Sequence, residues 1–239
     1  MVALQCNISS FKSVIQEIVL MKRLNPVVII YILTFAACTR SDTALPVDNG
    51  CIERITLSVT AHSINSSDVQ TVNNLFSSNG IDYSRFRYFQ YIRDTFQTLY
   101  PPYTKHDEQL VRVDQYTNGV RIFNDVLVYL FWDNNLHNRT GDLTIGTSLD
   151  NSPHLTLGQI RKLFLDNIEH FDHTSNQFKD SCFKTEFGYY NINAGTSNSR
   201  EVLVKAWHVT PKFSSFPEAY FQDTDGQLIY YFNGVETFK

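Results

Sequence analysis

The sequence predicts an α+β protein built from two small modules, each with one helix packed on an antiparallel sheet. Three observations indicate this class: two helix-capping patterns, several strand-like segments separated by turn residues, and many aromatic residues that favour half-buried sheet surfaces. Of the 239 residues, 13 are Tyr and 18 are Phe, and 43% of the chain is hydrophobic. This composition provides enough apolar surface for a packed core and excludes a disordered chain.

Capping patterns locate the two predicted helices. Ser67-Asp68-Val69-Gln70 has the form of a capping box with Ser67 as the N-cap, and Asn79-Gly80 supplies a left-handed stop. Thr156-Leu157-Gly158-Gln159 is a second capping box, followed by apolar residues that share one helix face. We expect a polar loop after this helix, from Glu169 to Ser181.

Turn residues separate the predicted strands. The strongest signal is Thr117-Asn118-Gly119, because Asn-Gly favours the tight turn of a hairpin. The run Val126–Phe131 is apolar at every position, which predicts a strand covered on both faces. Pro101-Pro102 excludes a strand at that point. The predicted strands are Ile55–Val59, Arg85–Phe89, Leu110–Tyr116, Val120–Phe131, Asp142–Gly146, Val202–Val209 and two strands within Ala219–Phe232, folded around Asp223–Gly226.

The pattern of residues 1–37 predicts a secretory signal peptide. Met21 fits the translation start of such a signal better than Met1. Lys22-Arg23 forms a basic region before an apolar run from Val27 to Ala37. That run is shorter than the roughly 20 apolar residues that a membrane-spanning helix needs. The protein is therefore expected to be exported.

Phe35-Ala36-Ala37-Cys38 resembles a lipobox, the motif of bacterial lipoproteins whose cysteine carries the lipid. The resemblance implies lipidation of Cys38, a tether over residues 38–50 and a membrane partner in the cell envelope, on its periplasmic face or at the cell surface. An ordinary signal with an unrelated cysteine is the alternative. Cys51 and Cys182 are then candidates for a disulfide, since disulfides persist in exported proteins, whereas two separate free thiols remain the alternative.

Catalytic, metal-binding and nucleic-acid-binding patterns are weak or absent. Glu169-His170-Phe171-Asp172-His173 lacks the zinc-helix spacing, in which two histidines four positions apart enclose a glutamate. Asp223 and Asp225 fit a turn better than a calcium site. A net charge of -4 disfavours nucleic acid as a partner. We expect a protein that is not an enzyme, with no cofactor and no metal site.

Two stretches resemble modules that precede secreted metalloproteases. Val111–Gln115, continuing through Asn118-Gly119 into Val120–Phe123, is similar to the fungalysin/thermolysin propeptide hairpin. Ala206-Trp207-His208-Val209 and the segment Tyr220–Leu228 resemble a PepSY domain. The resemblance implies a cystatin-like propeptide module over residues 51–148 and a PepSY-like module over residues 149–239, without a protease domain.

The resemblance also implies a non-catalytic function, the binding or inhibition of an exported protease or another exported protein. A partner strand added to an exposed sheet edge is the expected mode of contact. The candidate contact residues lie near the C-terminus and are Trp207, Tyr220, Tyr230, Tyr231 and Phe232. The alternative is a surface lipoprotein that binds a glycan or another ligand through the aromatic residues of positions 83–103. In another interpretation, those rings fill the core beneath the sheet while the neighbouring Arg side chains face water.

Overall fold

The computed structural model describes residues 45–144, 150–194 and 201–235, which belong to one compact unit. The predicted signal, Cys38 and the first part of the predicted tether lie outside the described residues. Among the helices in those three ranges, none combines the length and the hydropathy needed to cross a membrane.

Three helices and nine strands form within the described residues. The helices are α1 (Ser66–Ser78), α2 (Leu157–Asp172) and α3 (Ser175–Phe178). The strands are β1 (Ile52–Ile55), β2 (Phe86–Gln97), β3 (Lys105–Thr117), β4 (Val120–Trp132), β5 (Asn135–Thr140), β6 (Phe183–Asn191), β7 (Leu203–Pro211), β8 (Glu218–Gln222) and β9 (Leu228–Phe232).

These nine strands belong to one mixed sheet with the order β2-β3-β4-β6-β7-β8-β9, to which β5 adds beside β4 and β1 beside β6. The predicted fold class, two small helix-on-sheet modules, is therefore wrong. The pairings that unite the sheet are both parallel and join distant segments: β1 with β6, and β4 with β6 at Ile122 opposite Tyr189. Local sequence patterns do not contain such pairings. The module boundary between residues 148 and 149 stays a prediction.

Each longer helix covers its own part of the sheet. α1 contributes Val72, Leu75 and Phe76 to a core with residues of β2, β3 and β4. α2 packs Ile160, Phe164 and other apolar residues against β6, β7 and β8. Strand side chains alternate between the two faces of a sheet. The neighbours of the residues that pack beneath α2 therefore lie on the opposite face of β6–β9.

The β3–β4 hairpin confirms the strongest sequence signal. Asn118 and Gly119 have φ values of 50° and 78°, the left-handed pair that a two-residue turn requires. Within the run Val126–Phe131, one face is buried at Leu127, Tyr129 and Phe131, whereas Val126 on the other face is 36% exposed. The prediction that both faces of this strand are covered is wrong.

Several boundaries differ from the sequence prediction. The N-cap of α1 is Asn65 rather than Ser67, because the Asn65 side chain accepts a hydrogen bond from Asp68 N. The first strand lies at Ile52–Ile55 in place of Ile55–Val59, and the strand after β4 lies at Asn135–Thr140. Of the predicted strand Asp142–Gly146, residues 142–144 form no strand and the last two lie outside the described residues. The segment Glu169–Ser181, predicted as a polar loop, instead contains the last turn of α2 and the whole of α3. Strand β6 was not predicted.

A disulfide joins Cys51 to Cys182 across a sequence separation of 131 residues. It lies where β1 and β6 begin their parallel pairing. Nearby, the Arg161 guanidinium is 2% exposed, pairs with Asp48 at 2.9 Å and donates to the carbonyl groups of Lys179 and Ser181. These contacts attach Asp48, in the predicted tether, and Cys51, which follows it, to α2 and to the segment just before β6.

Candidate functional site

The face of β6–β9 opposite α2 carries a continuous group of aromatic residues. Glu186, His208, Tyr220 and Tyr230 lie directly opposite one another on the four consecutive strands. His208 stacks on Tyr220 with ring centroids 4.5 Å apart. We call this surface the aromatic face, and its members are Phe123, Tyr190, His208, Phe216, Tyr220, Tyr230 and Phe232.

The aromatic face opens to solvent toward β9. Tyr230 is 43% exposed and Phe216 is 42% exposed, whereas Phe123 at the other end is 5% exposed. A tyrosine hydroxyl is protonated at neutral pH, and burial raises the pKa values of Tyr190 and Tyr220 still further. The surface therefore offers flat rings and neutral hydrogen-bond donors, a combination suited to non-covalent binding.

The structure divides the five candidate contact residues between the two faces of the sheet. Tyr220, Tyr230 and Phe232 lie together on the aromatic face. Trp207 is 1% exposed beneath α2, and its indole N–H donates to Asp223 at 2.8 Å. Tyr231 also faces α2, where its hydroxyl donates to Asp172 and its ring stacks on Phe171.

A buried charge network lies at the inner end of the aromatic face, where β4 meets β6. Asp114, 1% exposed, accepts from Arg87 and from Arg121, each at 2.7 Å. Arg121 also reaches Glu186 at 3.5 Å. Burial raises the pKa of Glu186, while the positive charge of Arg121 opposes that change. The network holds its four charges in fixed pairs, which favours a structural role in joining the strands.

Two reciprocal hydrogen bonds extend this junction. The Asn124 amide donates to Asn191 O at 2.7 Å, and Asn191 N donates to Asn124 Oδ1 at 2.8 Å. The side-chain amide thus occupies the place of a backbone pair beside Ile122 and Tyr189. Sequence patterns did not identify this junction, and they did not indicate that His208, Tyr190 and Phe123 belong to the candidate site. An available signal was the alternation in Phe183–Asn191, which places every second residue on one face.

Asp223 has a structural role, because hydrogen-bond donors converge on its carboxylate. This carboxylate is fully buried and accepts from the backbone N–H groups of His154 and Leu155 as well as from Trp207. Asp225 is exposed and accepts within its own turn, from Gln227 N at 3.0 Å. Among the described residues, no group of three or more His, Cys, Asp or Glu side chains is arranged to hold a metal ion.

The aromatic segment at positions 83–103 contains both core and surface residues. Phe86 and Tyr88 are buried in the core beneath α1, as the core interpretation expects. The expectation that the Arg side chains face water is wrong for Arg87, which is buried, whereas Arg93 is exposed. The strongly exposed residues lie at the end of the segment, where Leu99, Tyr100 and Tyr103 form the turn between β2 and β3.

A cleft of about 400 Å³ lies elsewhere, between residues 48–50, α2 and α3. Four of its charged residues form ion pairs, Arg161 with Asp48 and Lys162 with Asp166, and its remaining lining charges, Glu169 and Lys179, are of opposite sign. This pairing leaves little unbalanced charge for a ligand. We therefore regard the aromatic face as the better candidate site, because it presents exposed rings next to a strand that is a sheet edge within the described residues.

The edge in question is β9, which pairs only with β8 among the described residues. The outer side of a terminal strand presents backbone N–H and C=O groups that an added strand can bind.

No protein-family model matches the sequence, and no match is found among curated proteins.

Proposed function

We propose that this protein is a non-catalytic, lipid-anchored protein of the cell envelope that binds an extended segment of another exported protein along β9. The single observation that carries the proposal is the position of β9. This strand is a sheet edge within the described residues, and its exposed Tyr230 continues the aromatic face.

The contact combines two kinds of recognition. Backbone groups along β9 bind the main chain of the partner, and pockets for alternate side chains supply specificity. Tyr230 and Phe232 provide large rigid surfaces that lose little conformational entropy when bound. We propose an exported protease as the partner class. The resemblance to propeptide and PepSY modules supports this choice.

The N-terminal sequence supports the proposed location. The signal-like residues 1–37 and the lipobox-like Phe35–Cys38 are the basis for an acyl anchor on Cys38. A disulfide between Cys51 and Cys182 agrees with an oxidising compartment. Mass spectrometry of the protein from a membrane fraction tests the anchor, which an unmodified Cys38 excludes.

Photo-crosslinking tests the binding edge. A photoreactive amino acid replaces Tyr230, and a matched control replaces Leu136, which lies on the outer strand β5 and is 41% exposed against 43% for Tyr230. We expect a discrete adduct with one exported protein from position 230 and none from position 136. Equal labelling from both positions, or labelling from neither, contradicts the proposal.

An inhibition assay tests the partner class. The purified protein is expected to inhibit a co-exported metalloprotease, and Tyr230→Ala combined with Phe232→Ala is expected to weaken inhibition at least tenfold. Leu136→Ala serves as the control for loss of an exposed apolar side chain. If position 230 forms an adduct but the protein inhibits no co-exported protease, β9 is still the binding edge, but its partner is not a protease.

A further inference from the structure

The turn between β2 and β3 is an exposed apolar loop without charge. We call residues 98–104, Thr-Leu-Tyr-Pro-Pro-Tyr-Thr, the hairpin tip. Leu99 is 86% exposed, Tyr100 80% and Tyr103 63%. An isolated exposed apolar residue is ordinary on a protein surface, but three of them within five residues form a concentrated patch.

The hairpin tip projects beyond the neighbouring strand. β4 ends at Trp132, which lies opposite Glu108 on β3. β2 and β3 continue for three more residue pairs, as far as Gln97 opposite Lys105. At about 3.3 Å per residue, the tip starts about 10 Å past the end of β4. Its side chains are thus clear of the adjacent strand.

Hydrogen bonds within the hairpin tip satisfy part of its backbone. The Thr98 hydroxyl donates to Pro102 O at 2.7 Å and accepts from Thr104 N at 2.9 Å. Thr98 N donates to Thr104 O at 3.0 Å. Pro101 and Pro102 have no N–H group to leave unpaired. This arrangement matters in a medium of low polarity, where each unpaired backbone group is costly.

Charge is graded along the hairpin. Lys105, which is exposed, is the charged residue nearest to the tip and lies in the first residue pair behind it. The acidic residues Asp94 and Asp107 lie two to three pairs farther back, where Asp107 already pairs with Arg93 at 2.8 Å. The order from the end of the hairpin is therefore apolar, cationic and then acidic.

This order matches a phospholipid surface, where acyl chains, phosphate groups and water follow one another in depth. Tyrosine is also enriched at the membrane–water interface, because its ring is apolar and its hydroxyl is polar. We propose that the hairpin tip inserts Leu99, Tyr100 and Tyr103 into a phospholipid bilayer, with Lys105 at the level of the phosphate groups. The inference does not depend on the proposed binding edge or on an acyl group at Cys38.

Depth-dependent quenching tests insertion. Full-length protein with Cys38→Ser, which removes the acylation site, is mixed with phosphatidylcholine/phosphatidylglycerol vesicles that contain brominated acyl chains. Tyr100→Trp is compared with Phe213→Trp, a control at a position that is 93% exposed and lies in another loop. We expect bromine to quench the added Trp at position 100 and not at position 213. Because both variants share the same N-terminal residues, vesicle binding through that segment cannot produce this difference.

Vesicle sedimentation measures the contribution of the tip to binding. Leu99→Ser with Tyr100→Ser is expected to weaken binding at least tenfold, while Leu136→Ser with Phe213→Ser has little effect. Lys105→Ala is expected to weaken binding to anionic vesicles more than to phosphatidylcholine vesicles. Unchanged urea midpoints establish that the variants fold.

Three outcomes overturn the inference. They are equal quenching at positions 100 and 213, sedimentation that is unaffected by the tip substitutions, and glycan-array binding that the tip substitutions abolish in a protein that does not bind vesicles. None of these outcomes changes the crosslinking result from position 230, so the inference and the proposed function fail separately.

Discussion

Asp223 shows how one buried carboxylate fixes several elements at once. Its two oxygens accept from the N–H groups that precede α2 and from the indole of Trp207 on β7, while the Lys205 ammonium lies 3.8 Å away. The negative charge is thus compensated by converging donors in a site that is closed to water. Loss of the carboxylate leaves several buried donors without a partner.

We predict that Asp223→Asn lowers the free energy of unfolding by about 3 kcal/mol, because removal of one member of a buried charged hydrogen-bond group is strongly destabilising. The matched substitution Asp225→Asn, in the exposed part of the same turn, is expected to cost less than about 1 kcal/mol. Urea unfolding at pH 7 measures both values. Equal costs for the two variants contradict the assigned role of Asp223.

His62 makes stability dependent on pH. Its Nδ1 accepts from Tyr88 N at 3.0 Å, and its ring stacks on Tyr88 with centroids 4.4 Å apart. Burial lowers the pKa of His62 from its ordinary value of 6.5, and the nearby charge of Arg87 lowers it further. Only the neutral imidazole can accept this hydrogen bond.

The unfolded chain takes up a proton at His62 as the pH falls through about 6.5, while the lowered pKa delays protonation of this ring in the folded protein to a lower pH. We therefore predict that stability falls with decreasing pH below about 6.5 and that His62→Asn, which retains an acceptor but cannot titrate, reduces this slope. Urea unfolding of both proteins between pH 7.5 and 5.5 measures it. Parallel pH profiles exclude His62 as a contributor.

Helix α1 illustrates how a local pattern identifies an element but not its first residue. Ser67 and Gln70 have capping-box spacing, yet Asn65 Oδ1 accepts from Asp68 N at 2.9 Å and from the Ser67 hydroxyl at 2.6 Å. Asn65 and Asp68 have the same three-residue spacing as the predicted pair. Helix α2 begins as predicted, with Thr156 and Gln159 in a capping box.

We predict that Asn65→Ala lowers the free energy of unfolding by about 1 kcal/mol, the usual cost of a lost N-cap. Ser67→Ala is expected to have a smaller effect, because the Ser67 side chain does not cap a backbone N–H in this helix. Thermal unfolding followed by circular dichroism compares the two variants. A larger loss for Ser67→Ala restores Ser67 as the functional cap.

The elements that sequence patterns identify are those with local causes. The Asn118-Gly119 turn and the Thr156 cap depend on neighbouring residues, so they were predictable. Strand β6 was missed although Phe183 and Phe187 face the core, because its role depends on partners from distant parts of the chain. The same limit applies to the candidate site. Tyr220 and Tyr230 were identified from the sequence, but the sheet face on which each aromatic residue lies is known only from the strand register of the structure.

At the scale of the whole molecule, the central strand β6 organises the sheet. It pairs with β1 and β4 on one side and with β7 on the other. The disulfide fixes the start of this strand to the start of β1. One covalent link therefore acts where the N-terminal and C-terminal parts of the described chain meet.

We predict that reduction of the Cys51–Cys182 disulfide lowers the free energy of unfolding by about 4–5 kcal/mol, the chain-entropy value for so long a loop. Urea unfolding with and without reductant measures the change. The Cys51→Ser/Cys182→Ser variant is the control, because its stability should be low and insensitive to reductant. A reductant effect of the same size in that variant assigns the change to another source.

The same cross-link determines how the molecule carries mechanical load. When the chain is pulled from its two ends, tension passes from residue 51 through the sulfur atoms to residue 182 and bypasses the loop between them. That loop contains all three helices, strands β1 to β5 and the hairpin tip. A molecule held at its N-terminus and pulled from its C-terminus would therefore keep this loop unstretched, while β9, near the pulled end, lies in the loaded path.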